Sequence, residues 1–333
     1  MSFLKYVNKN NHKIMNTKNG NILIRTLFLS LLFMGVISCD FTGKEKKQLT
    51  IESLNEDNFA YNLKAPNDIY FLPNNLKEIS GISFYKKNQI VCINDEKANI
   101  YIFDTEKREI ISKYDFGKKG DYEDIAVVKD DVFILRSDGT LFKVENFETN
   151  QRKTTKIKTL LTKKNNTEGL FFDENTNSLL IACKNSPSIN KNEPFEGFKA
   201  IYRFDLNTNT LIEKPEYLVN FSKIDSLKVT GAVQKLFIKT AKQLKFVGDG
   251  NRFHPSGLGI HPIEKDKIYV ISSLGKWLIV MSISGEIINF FELDKQIFSQ
   301  PEGICFSENG DLYISNEGKN GKANILQFKI NMN

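Results

Sequence analysis

The chain has 333 residues, 26% of them charged and 41% hydrophobic, with 46 Lys and Arg against 40 Asp and Glu and a formal charge of +6. Five of the bases (Lys5, Lys9, Lys13, Lys18 and Arg25) fall in the first 38 residues, which hold no acid, so the remainder carries 41 bases against 40 acids. A near-neutral body has no electrostatic footprint for nucleic acid, which is excluded as a partner, and the excess positive charge reads as a targeting signal.

That signal continues into an apolar run from Leu27 to Ile37, too short to span a bilayer, where about 20 residues are needed. The run ends in Val36-Ile37-Ser38-Cys39, which resembles a bacterial lipobox. Residues 1–38 are thus expected to be a lipoprotein signal peptide. Residues 39–48 are expected to be a polar tether, lipid-anchored through Cys39. An ordinary signal peptide followed by a chance cysteine is the alternative. The lipoprotein reading makes a membrane the first partner and the bacterial cell envelope, periplasmic or surface-exposed, the location.

From residue 49 onward the chain reads as short strands separated by polar turns. Ile69–Pro73 comes first. A first unit follows with Gly81–Tyr85, Gln89–Asp95, Asn99–Thr105 and Ile110–Phe116. The second unit has Asp124–Val128, Asp131–Ser137, Gly139–Asn146 and Thr154–Leu161, with Asp138-Gly139 as a tight hairpin. The third has Gly169–Asp173, Ser178–Lys184, Ala200–Leu206 and Leu211–Leu218, interrupted by the irregular insertion Ser186–Phe198. Val219 to Asp249 breaks the rhythm, and Val233, Leu236, Phe237, Thr240 and Leu244 along one face suggest a helix. Two more units carry Gly257–His261, Lys267–Ser273, Trp277–Ile283 and Ile288–Leu293, then Gly303–Ser307, Asp311–Glu317 and Ala323–Ile330. Trp277 opens a strand and is expected to pack between blades.

One phrase opens the units: Ser80-Gly81-Ile82, Glu123-Asp124-Ile125, Glu168-Gly169-Leu170, Ser256-Gly257-Leu258 and Glu302-Gly303-Ile304. The steps are 43, 45, 88 and 46 residues, and 88 reads as two steps of 44. A period in the 40s made of strands marks an all-β propeller. The expectation is a six-bladed β-propeller over residues 49–333, one blade modified by the helical insertion, with five blades as the alternative. The last unit shows three clear strands, so an N-terminal strand is expected to complete it and close the ring. Cys92, Cys183 and Cys305 lie in apolar strands and are expected to be core thiols, since their spacing matches no zinc pattern.

The ordered set ISGI, INDEKANIYIFD, DYEDIA, TEGLFFD with LLIACK, and PEGICF with LYISNE resembles the SdiA-regulated family of bacterial propeller proteins, from about Leu76 to Phe328. The resemblance implies a modified six-bladed propeller, often exported or lipid-anchored, with a calcium site near the central channel and no established activity. Ser80 and Ser256 depart from it, standing where a Glu would complete a carboxylate ring.

The residue entering an innermost strand lies at the channel mouth, which would bring Glu123, Glu168 and Glu302 together. Mutual repulsion among them favours a cation, calcium first, because Ca²⁺ takes 6–8 oxygens in irregular geometry. The alternative is that they cap strand starts. A second tier at the ends of the second strands, Asp95, Glu96, Arg136, Lys184, Asn316 and Glu317, joins Asp124 as candidate ligand-binding residues. Turn chemistry is the alternative there. The sequence contains no nucleophile elbow, zincin motif, phosphate loop or Rossmann fingerprint. Three functions remain: a monomeric, lipid-anchored propeller binding calcium or a small ligand; a calcium-dependent hydrolase of an ester, lactone or phosphoester with His254 as base; and a platform for envelope proteins.

Overall fold

Runs of Ile, Val, Phe and Tyr between polar turns can bury both faces only if sheets stack on one another. The structure, a computed structural model, describes residues 59–331 apart from 191, 192, 194, 196, 221–252 and 320. Its described part is five antiparallel sheets. Blade 1 holds β2 (Ile79–Lys86), β3 (Gln89–Asn94), β4 (Asn99–Asp104) and β5 (Glu109–Asp115), after a short 3-10 turn at Asn74–Leu76. Blade 2 holds β6 (Tyr122–Val128), β7 (Asp131–Arg136), β8 (Leu141–Glu145) and β9 (Lys153–Ile157). In blade 3, β10 (Thr167–Asp173), β11 (Ser178–Cys183) and β12 (Phe198–Asp205) carry a split outer strand, β13 (Thr210–Leu211) and β14 (Tyr217–Asn220). Blade 4 holds β15 (Pro255–Ile260), β16 (Lys267–Ser272), β17 (Trp277–Ser282) and β18 (Ile287–Glu292). Blade 5 holds β19 (Pro301–Phe306), β20 (Leu312–Asn316) and β21 (Asn324–Phe328).

The N-terminal strand β1 (Asp68–Phe71) pairs antiparallel with β21 and becomes the outer strand of blade 5. The first and last parts of the domain are thereby locked in one sheet, as the three-stranded last unit led one to expect. Tyr61 adds a second tie. Its hydroxyl donates to the Gly310 carbonyl at 2.5 Å and lies 2.7 Å from His261 Nε2. His261 Nδ1 accepts the Glu264 N–H at 2.8 Å, so the proton of the neutral ring is on Nε2, directed at Tyr61.

The innermost strands touch in the order β2, β6, β10, β15, β19 and back to β2, so the described ring closes with five blades. This corrects the six-bladed expectation in favour of its five-bladed alternative: β10 and β15 pack directly, and no blade stands between them. The helix expected between them lies outside the described residues, as do the leader, the tether and Cys39. The core divides in the same way. Five hydrophobic clusters fill the five seams, each drawn from two adjacent blades. Cys92, Cys183 and Cys305 are buried free thiols within them. Trp277 packs in the seam between blades 3 and 4, its ring stacked on Phe253 at 6.5 Å.

The repeated phrase marks an irregularity in every innermost strand. Pairing skips at Glu123 in β6, at Glu168 in β10 and at Ser256 in β15. In β2 and β19 the pairs Ser80-Gly81 and Glu302-Gly303 face a single residue of the next strand. These are β-bulges, which bend a strand and redirect a side chain. The glycine after the bulge lets the next blade approach. A Cβ on Gly257 would lie 2.7 Å from the Glu302 carbonyl oxygen, and one on Gly303 would lie 2.8 Å from Ile82 N and Ser315 Oγ.

Gly303→Ala should therefore force blades 5 and 1 apart and cost about 1–3 kcal/mol, as overpacking does. Gly321→Ala, whose added carbon meets nothing within 4 Å, is the control. Thermal melts should show a drop of several degrees for the first and none for the second; equal melting temperatures would contradict the close-approach role.

Candidate functional site at the channel mouth

Three positions in each blade build one end of the channel. The first is the bulge residue: Ser80, Glu123, Glu168, Ser256 and Glu302. The second lies two residues earlier: Glu78, Asp121, Asn166, His254 and Gln300. The third lies just past the second strand: Asp95, Ser137, Lys184, Ser273 and Glu317. In four blades backbone bonds tie the third to the second, from the N–H of Asp95, Ser137, Lys184 and Glu317 to the carbonyl of Glu78 (3.2 Å), Asp121 (3.0 Å), Asn166 (2.8 Å) and Gln300 (2.9 Å). Adjacent mouths are stitched together by Tyr122 N–H to Asp95 O at 2.7 Å and Thr167 N–H to Ser137 O at 2.9 Å.

Of these fifteen positions seven are acidic (Glu78, Asp95, Asp121, Glu123, Glu168, Glu302 and Glu317) and one, Lys184, is a cation. Lys199 and Lys276 support the tier from behind, donating to the Lys184 carbonyl and, at 2.8 Å, to the Ser273 carbonyl. Among the described residues the balance at this end is acidic.

The structure brings the three predicted glutamates together. Glu168, 5% exposed, is paired by Lys184 Nζ and takes a bond from Asn166 Nδ2 at 3.2 Å. Glu302 accepts from Gln300 Nε2 at 2.8 Å and Ser273 Oγ at 3.0 Å. Burial, then Glu168, Asp121 and Glu302, push the Glu123 carboxyl up to about 9. Burial also raises Glu302 to about 7, with Glu168 adding to it against the Gln300 and Ser273 bonds. Burial alone would lower Lys184, but Glu168, Glu302 and Glu123 more than offset it and keep it charged. Burial brings Lys199 down to about 8.

The other predicted residues separate. Asp95 and Glu317 share a second acidic group with Glu78 between blades 5 and 1. There burial, then Glu78 and, to a smaller extent, Glu317 and Glu96, raise Asp95 to about 6. Gln300 Nε2 donates to both Glu302 and Glu317 and links this group to the first. Glu96 is exposed on the rim. Asn316 is fully buried, donating to Asn324 Oδ1 at 3.0 Å behind the mouth. Two expectations need correction. Asp124, 2% exposed, is not in the mouth but in the seam between blades 2 and 3, where its oxygens accept the N–H groups of Ile125 at 2.9 Å and Leu170 at 2.7 Å. Arg136 turns onto Asp138 at 2.7 Å and over the Phe142 ring, away from the channel, because the hairpin supplies its counter-ion locally. The His254 N–H donates to Ser272 Oγ at 2.9 Å.

Sequence reading missed Gln300, Asp121, Asn166 and Lys199. The first three had a signal: the residue two before the phrase is polar in every copy. Lys199 had none, since it enters from a third strand after an irregular insertion.

The family's calcium can be tested against these side chains. The donors are all oxygen, as calcium requires. Yet Lys184 already occupies Glu168, and among the described residues no three acidic, histidine or cysteine side chains gather around one point that could hold a metal. The carboxylates as arranged do not fit a calcium ion held by Glu123, Glu168 and Glu302.

The SdiA-regulated family model matches residues 52–238, more than half of the chain. The chain belongs to the SdiA-regulated family. No curated protein matches it. Among solved structures, this SdiA-regulated propeller is similar to a glutaminyl cyclase from Myxococcus xanthus at 9% identity and a TM-score of 0.51, covering 80% of this chain and 96% of that one. A streptogramin B lyase matches at 11% identity and TM-score 0.45, covering 79% and 97%, and a gluconolactonase from Xanthomonas campestris at 12% and 0.44, covering 78% of each. At such identities the likeness is one of fold.

Because the folded-state Glu123 carboxyl is raised, its protonated form favours the fold. That contribution is complete below the unfolded value near 4.5 and is lost as pH rises through about 9. Ligand-free protein should melt at falling temperatures from pH 5 to pH 9. Glu123→Gln should match it at pH 5 and exceed it increasingly above pH 7. Parallel melting curves for the two proteins would refute the raised carboxyl.

Proposed function

We propose that this chain is a lipid-anchored protein of the bacterial envelope whose acidic channel mouth binds a small cationic ligand. The anchor reading rests on the basic leader and the Val36-Ile37-Ser38-Cys39 sequence. The single observation that carries the ligand reading is the convergence of Glu123, Glu168 and Glu302 from three blades, where among the described residues Lys184 is the one cation ion-paired with them. Carboxylates held in one another's field while largely dehydrated gain from a donor-rich cation, which replaces their bound protons. A protonated amine suits this mouth: its N–H groups are directional donors, and it needs no closed shell of oxygens. Lys184 already occupies Glu168 in this manner, which leaves Glu123 and Glu302 for the ligand. Binding should release protons near neutral pH, so affinity should rise with pH until the amine itself titrates.

Calorimetric titration with n-butylamine at pH 6 and pH 8 tests the reading. Tighter binding at pH 8 is expected, together with proton release detected by comparing buffers. Glu123→Gln and Glu302→Gln should each weaken it about 10-fold or more, the scale of one charge-assisted hydrogen bond. Calcium serves as the comparison cation. Calcium binding that is lost in both variants, with no amine binding, would replace the amine reading by a metal one.

A further inference from the structure

The repeat frame that places polar residues at the mouth places a second set deeper in the channel. Four residues after each bulge stand Phe84, Val127, Phe172, Ile260 and Phe306, every one of them large and apolar. Each packs against a different seam. Phe84, Val127, Phe172 and Ile260 nevertheless remain incompletely buried, and all five line one cavity of about 370 Å³. Four residues of strand span roughly 13 Å, so this girdle lies well below the carboxylates, toward the opposite face of the propeller.

The polar side chains around the cavity are already engaged. Ser83 Oγ accepts the Val127 N–H at 3.2 Å, Ser307 Oγ is bonded to Asn309 and Asp311, and Asp173 is paired with Arg203 at 3.1 Å. The remaining charged lining residues, Lys265, Glu174 and Glu308, are exposed. The volume falls in the range of ordinary ligand pockets, which begin near 300 Å³ and combine an apolar wall, here the five girdle side chains, with polar groups around it.

We infer that the girdle of Phe84, Val127, Phe172, Ile260 and Phe306 is a binding site for an uncharged small molecule with an apolar body, entered from the face opposite the acidic mouth. Its volume suits a ligand on the order of ten to twenty non-hydrogen atoms. The absence of an unengaged charge among the girdle side chains selects against ions. The site is independent of the cationic ligand at the mouth.

Fluorescence titration with N-phenyl-1-naphthylamine, an uncharged apolar probe, tests the inference. The full protein should show saturable enhancement with one site. Val127→Phe, which fills the bore, should weaken it at least tenfold, and Phe172→Ser should weaken it comparably by removing wall contacts. Melting curves of both variants establish that they are folded, and if one is not, the other decides. Glu123→Gln should leave the titration unchanged. A lateral groove lined by Phe59, Phe290 and Phe291 is the competing location. Absence of saturable enhancement, or enhancement that survives both girdle variants and falls with Phe291→Ser, overturns the assignment.

Discussion

The β-bulge at the start of each innermost strand is the constraint on which the other features of this propeller depend. An innermost strand must pair with its own blade while its neighbours on both sides press against it. One extra residue at the entry releases the ladder for a single step and turns that side chain out of the sheet. The following residue then passes so close to the next blade that a Cβ is excluded, and glycine occupies it in four copies. The fifth copy replaces the glycine by Asp124, and its carboxylate fills the contact by accepting the Leu170 N–H of the neighbouring blade. Glycine and aspartate thus solve the same seam in two ways, one by absence of atoms and one by a hydrogen bond. Asp124 has its own cost: burial raises its carboxyl well above the usual range, although two backbone N–H bonds pull the other way.

The same bulge explains why the acids gather. Bulge side chains leave the sheet on the same side of every blade, so whatever residue types occupy that position meet around the mouth. Dehydrating three carboxylates together is unfavourable, and the chain tolerates it in two ways. Lys184 neutralises Glu168 directly, and Glu123 and Glu302 remain largely or partly protonated at neutral pH. Both effects lower the negative charge that these three glutamates would otherwise concentrate in one place.

Much of this was legible in the sequence. Phrase spacing gave the propeller, the three-stranded last unit gave the closure by an N-terminal strand within Ile69–Pro73, and the apolar settings of Cys92, Cys183 and Cys305 gave their burial. The blade count was not legible, because an 88-residue step is consistent with two units or with one unit and an insertion. The contact that decides between them, β10 on β15, joins residues far apart in sequence. Asp124 was misplaced for a local reason. Successive side chains of a strand point to opposite sides, so next to Glu123 in the channel Asp124 enters the seam, where Leu170 N–H meets it. Arg136 shows its charge in the sequence but not its partner, which is Asp138 two residues on in the same hairpin. Gln300 lies outside the phrase, and its signal is the weaker one that every copy carries a polar residue at that position.

The corrected blade count bears directly on the chemistry. In a six-membered ring the last carboxylate would stand across a wide mouth from those of units two and three. In a ring of five, no two blades are separated by more than one other, and the bore is narrower. Glu302 on blade 5 is one blade removed from Glu123 on blade 2 and one from Glu168 on blade 3, and Ser80 and Ser256 occupy the intervening places. Three acids arranged in this way surround the axis, whereas two neighbours and a distant third would leave one side open. The serines then have a role that a full ring of glutamates would preclude. Ser80 and Ser256 each donate across a seam to a carbonyl of the next blade, at Glu123 and Pro301 respectively, and so fix the strands that present Glu123 and Glu302. Unequal residues at one repeated position therefore divide the labour between holding the mouth together and charging it.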